Sequence, residues 1–163
     1  MDYSYLYSKL NLRTHLKADC GELCSNACCK DDESGEECGM YLFPGEEVMF
    51  SHNDNFKIEE SDFSYGSNFA KIIFCNSFCK RKERPLSCRI FPLFPYVDEN
   101  WNLKVIIDKR GRGLCPLCNV TLSEFNHSFV RGVRHIGKEL LKEKDTAEFL
   151  YALSRLIDEW DFL

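Results

Sequence analysis

The chain has 163 residues, 44% of them hydrophobic and 29% charged, with a formal net charge of −5. Thirteen Phe, seven Tyr and two Trp supply enough apolar area to exclude a disordered chain, and the length suits one domain with its own core. The acidic balance argues against general nucleic-acid affinity, and no apolar run approaches the roughly 18 residues of a membrane helix.

The opening, Met1-Asp2-Tyr3-Ser4-Tyr5, has no basic stretch followed by an apolar one, so a cytoplasmic protein without membrane contact is expected. That expectation governs the reading of ten cysteines. Disulfide frameworks belong to short secreted chains, whereas a reducing compartment keeps thiols available for metal.

Tyr3, Leu6, Tyr7, Leu10 and His15 recur at near-helical spacing, which predicts a helix over 3–17. Cys20, Cys24 and Cys28 follow, four residues apart, and on a helix they would share one face. Cys29 would be offset from Cys28 by about 100°, so the vicinal pair is expected to serve two sites. Residues 30–38 read as a solvated acidic loop ending at Cys38, which is read as a spare thiol. A strand over Met40–Phe43, a Pro44-Gly45 turn and a helical turn with Glu46 and Glu47 at its start come next. Residues 51–68 are polar with a weak strand at Phe56–Glu59; Ala70–Phe74 is a stronger one.

The second cysteine group is Cys75-x3-Cys79-x8-Cys88. Pro85 is suited to start a short helix and Pro92 to end it. The cations Lys80, Arg81, Lys82, Arg84 and Arg89 lie in the same segment. A tetrathiolate zinc site carries a formal charge of about −2, and nearby cations offset it and donate hydrogen bonds to sulfur. A hairpin from Leu93–Tyr96 and Leu103–Asp108 leads through the basic segment 109–113, read as flexible, to Cys115-Pro116-Leu117-Cys118. Such a turn points two thiolates at one ion. An amphipathic helix over 123–142 carries Phe125, Phe129, Val133, Ile136 and Leu140, with His127, Arg131, Arg134 and Lys138 on its other face. A capping box at Asp145–Glu148 starts a closing helix, expected to be the antiparallel partner of the one before.

Taken together, these cysteines resemble the YkgJ-type cysteine-cluster family, small bacterial proteins described as carrying a zinc- or iron-chelating domain. The matching residues are Cys20, Cys24, Cys28-Cys29, Cys79 and the run RPLSCRIFP from Arg84 to Pro92, within residues 20–118. The first two spacings are x3 here rather than the family's x2. Flagellin lysine methylases look similar over the same cysteines, which implies an iron–sulfur enzyme as an alternative. This chain, however, has neither a glycine-rich strand-to-helix loop nor a C-x3-C-x2-C run.

The expected fold is α+β, one domain over 1–163: a metal-stabilised cysteine core at about 20–118, built on a small antiparallel sheet with cysteine-bearing loops, and a helical hairpin at about 123–162. The expected function is metal binding through Cys20, Cys24, Cys28, Cys29, Cys75, Cys79, Cys88, Cys115 and Cys118. Zinc and an iron–sulfur cluster both accept four thiolates, and the C-P-x-C turn favours zinc. Binding rather than catalysis is expected, because no His, Asp or Glu constellation suggests hydrolysis and His15, His52, His127 and His135 are scattered. A zinc module docking a nucleic acid or a protein through residues 80–89 is the third reading. Three thiolates on one helical face do not complete a tetrahedral site, so the first group is expected to be completed from residues 75–118.

Overall fold

Residues 56–75 form the longest hairpin of the chain, and it organises one half of the molecule. The computed structural model describes residues 1–11, 14–16, 27, 39–75 and 80–160. Strand β1 is Met40–Tyr41, β2 is Phe56–Tyr65 and β3 is Asn68–Cys75; they form an antiparallel sheet in the order β1-β3-β2. β2 runs well past the four residues read as a strand. Its inward positions change phase between Ile58 and Ser61, where the register shifts, so a single period of two does not fit the whole segment. The edge strand turns Lys57, Glu59, Glu60 and Asp62 to solvent, and charges there discourage pairing with another chain.

The second sheet is the expected hairpin, β4 (Leu93–Val97) with β5 (Leu103–Ile107). Helices α3 (His127–Leu140) and α4 (Lys144–Glu159) pack on it. The two helices had been expected to pair mainly with each other. Instead α3 lies on β4 and β5, and α4 on β4 and β2. Gly137 permits the first contact, since a methyl there would come 2.7 Å from Pro95 Cβ and 2.9 Å from Leu103 Cδ1. Ser154 Oγ accepts the Val97 N–H at 3.0 Å and Arg155 Nη2 donates to the Val97 carbonyl at 2.7 Å, so α4 supplies partners for the end of β4.

Both helices start elsewhere than the sequence suggests. Thr121 and Glu124 cap a separate 3-10 turn at Leu122–Glu124, and α3 begins after Asn126, whose side chain accepts from Ser128 N. α4 begins at Lys144, where Thr146 donates back to the Leu140 and Glu143 carbonyls rather than capping from a box. The main core joins Phe129, Val133, Ile136 and Leu140 of α3 to Phe149, Leu150, Leu153 and Ile157 of α4. A smaller cluster gathers Leu42, Phe50 and Ile73. Among the described residues, no helix is long and apolar enough to cross a membrane.

The N-terminal helix α1 is Tyr3–Ser8, shorter than expected, and it is fastened by tyrosine hydroxyls. Tyr3 donates to the Pro44 carbonyl at 2.7 Å, and Tyr7 donates to Glu46 Oε1 at 2.5 Å. Glu46 is fully buried; its Oε1 also accepts the Leu86 N–H at 2.6 Å and its Oε2 the Phe43 N–H at 3.2 Å. Leu86 opens the short helix α2 (Leu86–Ile90), so one carboxylate ties α1, the loop after β1 and the start of α2 together. Burial pushes the Glu46 carboxyl up to about 7, against the hydrogen bonds and the nearby Arg89 that favour its charge.

The sign of the resulting pH dependence follows. Between the ordinary carboxyl value of 4.5 and about 7 the folded chain holds a proton on Glu46 that the unfolded chain has lost, so stability falls as pH rises through that window. The effect is at most about 3 kcal/mol. Urea denaturation of wild type and Glu46→Gln at pH 5 and pH 8 checks this: the variant should show the smaller difference. Glu46→Ala, which strands two backbone N–H groups, should lose about 2–4 kcal/mol at pH 5.

Candidate metal centre

Four cysteines fall among the described residues, and each stands at the end of an ordered element or inside one. Cys75 is the last residue of β3, paired across the sheet with Phe56. Cys88 is the middle residue of α2, one turn before the chain enters β4. Cys115 precedes, and Cys118 lies within, a 3-10 turn at Pro116–Asn119, with Pro116 at its first position as the sequence predicts. Cys20, Cys24, Cys28, Cys29, Cys38 and Cys79 lie outside the described residues, as does the acidic loop 30–38.

The C-P-x-C turn is the most developed part of the site. Cys115 and Cys118 are both buried, and neither is in a disulfide. The Cys118 thiol hydrogen bonds to the Cys115 sulfur, and the Leu117 and Cys118 N–H groups also point at it; together they pull the Cys115 thiol down to about 6 against the effect of burial. The same contact with Cys115, followed by burial, drives the Cys118 thiol well above its usual range. The backbone therefore favours a thiolate at Cys115 and presents a second sulfur to the same point. A metal cation displaces the shared proton in such a pair and binds both sulfurs as thiolates.

Cys75 and Cys88 line one wall of a cleft of about 260 Å³, with Arg84, Ser87, Asp108 and Gly111. Gly111 connects this cleft to the C-P-x-C turn. A methyl on Gly111 would come 2.8 Å from Cys118 Sγ and 2.5 Å from the Phe91 ring. Cys118 thus sits directly behind a residue of the wall that Cys75 and Cys88 share. Ser87 Oγ, one residue before Cys88, is buried with no hydrogen-bond partner among the described residues. The donor chemistry suits a thiophilic metal. Among the described residues, no group of three or more His, Cys, Asp or Glu side chains converges closely enough to hold an ion by itself.

The cations of the second segment divide. Arg84 lines the cleft beside the thiols. Arg89 is buried and holds the loop before it: Nε donates to the Arg84 carbonyl at 2.6 Å, Nη2 to the Lys82 carbonyl at 2.5 Å, and the guanidinium lies 4.0 Å over the Tyr7 ring. It therefore positions α2 and its cysteine through the backbone. The segment read as flexible and basic is ordered. Asp108 caps a 3-10 turn at Lys109–Gly111 and grips Arg110 with both oxygens, at 3.0 and 2.6 Å. Sequence reasoning missed Asp108 and Gly111; an Asp ahead of a Lys-Arg-Gly run was the available capping signal. His15 is buried, its ring centroid 4.4 Å from that of Phe129 and its carbonyl accepting Asn126 N–H, a packing role. His127 is exposed on α3.

The chain matches no family model, no curated protein and no solved structure.

Gly111 and Gly113 provide a matched test of the close packing at Cys118. Gly111→Ala forces Phe91 or Cys118 to move and should lower stability by about 1–3 kcal/mol. Gly113→Ala, with nothing within 4 Å of the added methyl, should stay within about 0.5 kcal/mol of wild type. Thermal unfolding of the two variants, measured side by side, checks the contrast.

Proposed function

We propose that this chain is a metal-binding protein that holds zinc or an iron–sulfur cluster through cysteine thiolates. The ligands would come from Cys20, Cys24, Cys28, Cys29, Cys75, Cys79, Cys88, Cys115 and Cys118. The observation that carries the reading is the Cys115–Cys118 turn, with its backbone N–H groups on one sulfur and its second sulfur packed behind the wall bearing Cys75 and Cys88. Half of a tetrahedral site is thereby laid out, and further thiolates would complete it. Zinc is favoured because a C-P-x-C turn with N–H bonds to sulfur is a common half-site for that ion. The likeness of RPLSCRIFP to the YkgJ-type family supports the same assignment. It is proposed on those residues alone.

The second reading is an iron–sulfur enzyme related to flagellin lysine methylases. The cleft beside Cys75 and Cys88 supports it, since such an enzyme requires room for a substrate next to its cluster.

Anaerobic purification from cells without added metal, followed by metal and sulfide analysis and a visible spectrum, tests both. A colourless protein with at least one zinc per chain is expected. A brown protein with iron and acid-labile sulfide transfers the assignment to a cluster. Cysteines recovered as disulfides with no metal would falsify the thiolate reading. Cys118→Ser is expected to lower the metal content, and Cys29→Ser to remove part of it but not all.

The main core is built from α1, α2, β4, β5, α3 and α4 and closes without the thiols. Chelation is therefore expected to leave most of the helical circular dichroism of α3 and α4 in place. It should at the same time open the cysteine-bearing segments to proteolysis.

A further inference from the structure

The two hydrophobic clusters do not meet. Phe43, Leu93, Phe94 and Phe149 belong to the main core, whereas Ile73, with Met40 and Phe56 packed on it, belongs to the smaller one. The division runs between chain neighbours, since Leu42 enters the small cluster and Phe43 the large. Residues from both clusters line the same cleft of about 260 Å³. Apolar surfaces this close ordinarily close on each other, because every side chain left without a packing partner forfeits dispersion contacts. Here aromatic rings on both sides face a gap instead.

The wall defines what the gap would accept. Its base is aliphatic and aromatic, and the thiols of Cys75 and Cys88 stand at one side. Three charged residues share the lining. Asp108 and Arg110 neutralise each other in a two-pronged ion pair, and Arg84 has a partner of its own. No charge is left for a ligand to satisfy, so a charged ligand would be desolvated without compensation. An apolar cavity of about 150 Å³ takes up a benzene ring. The larger space here suits a two-ring compound, with aromatic walls for offset or edge contacts and polarizable sulfurs beside the ring.

We propose that the cleft between the two clusters is a binding chamber for an uncharged planar ring compound of about indole size, seated against Cys75 and Cys88. The capacity to bind stands on the cleft alone; the placement of the ligand next to a metal rests on the thiolate reading above.

The test uses the full chain as purified, with its metal content assayed first, and titrates indole into a ¹⁵N-labelled sample. Saturable shifts centred on Ile73, Phe94, Gly111 and Leu114 are expected. Two filling variants, Leu114→Trp and Met40→Trp, should each weaken binding at least tenfold while leaving metal content unchanged. Two are used so that one misfolded variant does not decide the matter. No saturable response overturns the chamber, as do shifts centred on the exposed Val48 and Phe69, or affinity undiminished in both folded variants. A metal-free protein that still binds indole at these residues overturns the thiolate reading and leaves the chamber standing. A metal-loaded protein that ignores indole does the reverse.

Discussion

The carboxylate of Glu46 has no exposed surface, yet it accepts a phenol O–H and two backbone N–H groups from three separate segments of the chain. A buried carboxylate is costly unless its oxygens are hydrogen bonded, so the carboxylate and its donors specify one another's positions. The tie to Leu86 matters most for function. Leu86 starts α2, whose middle residue is Cys88, and the loop before α2 is gripped by Arg89 through the carbonyls of Lys82 and Arg84. Tyr7 bridges the two ions, with its hydroxyl on Glu46 and its ring beneath the Arg89 guanidinium. The N-terminal helix thereby sets the position of a cysteine some eighty residues later in the chain.

The same principle of placing sulfur by the backbone governs the other end of the cleft. Pro116 fixes the first dihedral of the turn, and the N–H groups that follow aim at Cys115. Gly111, held by the Asp108-capped turn, lets the Cys118 sulfur approach the chain as no larger residue would. Arg110 is spent on Asp108, so the local positive charge is smaller than the run Lys-Arg-Gly-Arg suggests. The cations near the thiols thus do two different things. Arg84 stands at the cleft wall, and Arg89 and Arg110 hold backbone in place.

Much of the secondary structure was legible because it follows from short-range rules. The hairpin of β4 and β5, the Pro-started α2, the turn at Glu46 and the apolar ladder of α3 all lie where periodicity and turn residues put them. β2 was only partly legible, because a bulge interrupts its alternation and a polar outer face masks the rest. The packing of α3 and α4 on strands was not legible at all, since an apolar stripe does not say what it meets. The three cysteine groups were visible as a pattern. What joins Cys118 to the wall of Cys75 and Cys88 is a glycine, and the absence of a side chain leaves no signal in a single sequence.

The described thiols stand where the molecule is least closed. Phe129, Val133, Ile136, Phe149 and Leu150 form a continuous interior with β4 and β5, complete on its own terms. Cys75, by contrast, ends a strand belonging to the smaller cluster, and Cys88 faces the cleft between that cluster and the core. Apolar burial alone therefore leaves the sheet of β1, β2 and β3 attached chiefly through β1, α4 and the Glu46 junction. A thiolate–metal bond between the end of β3 and α2 would act where hydrophobic contact is missing. It would add a constraint between segments distant in the chain at the place where the fold supplies fewest.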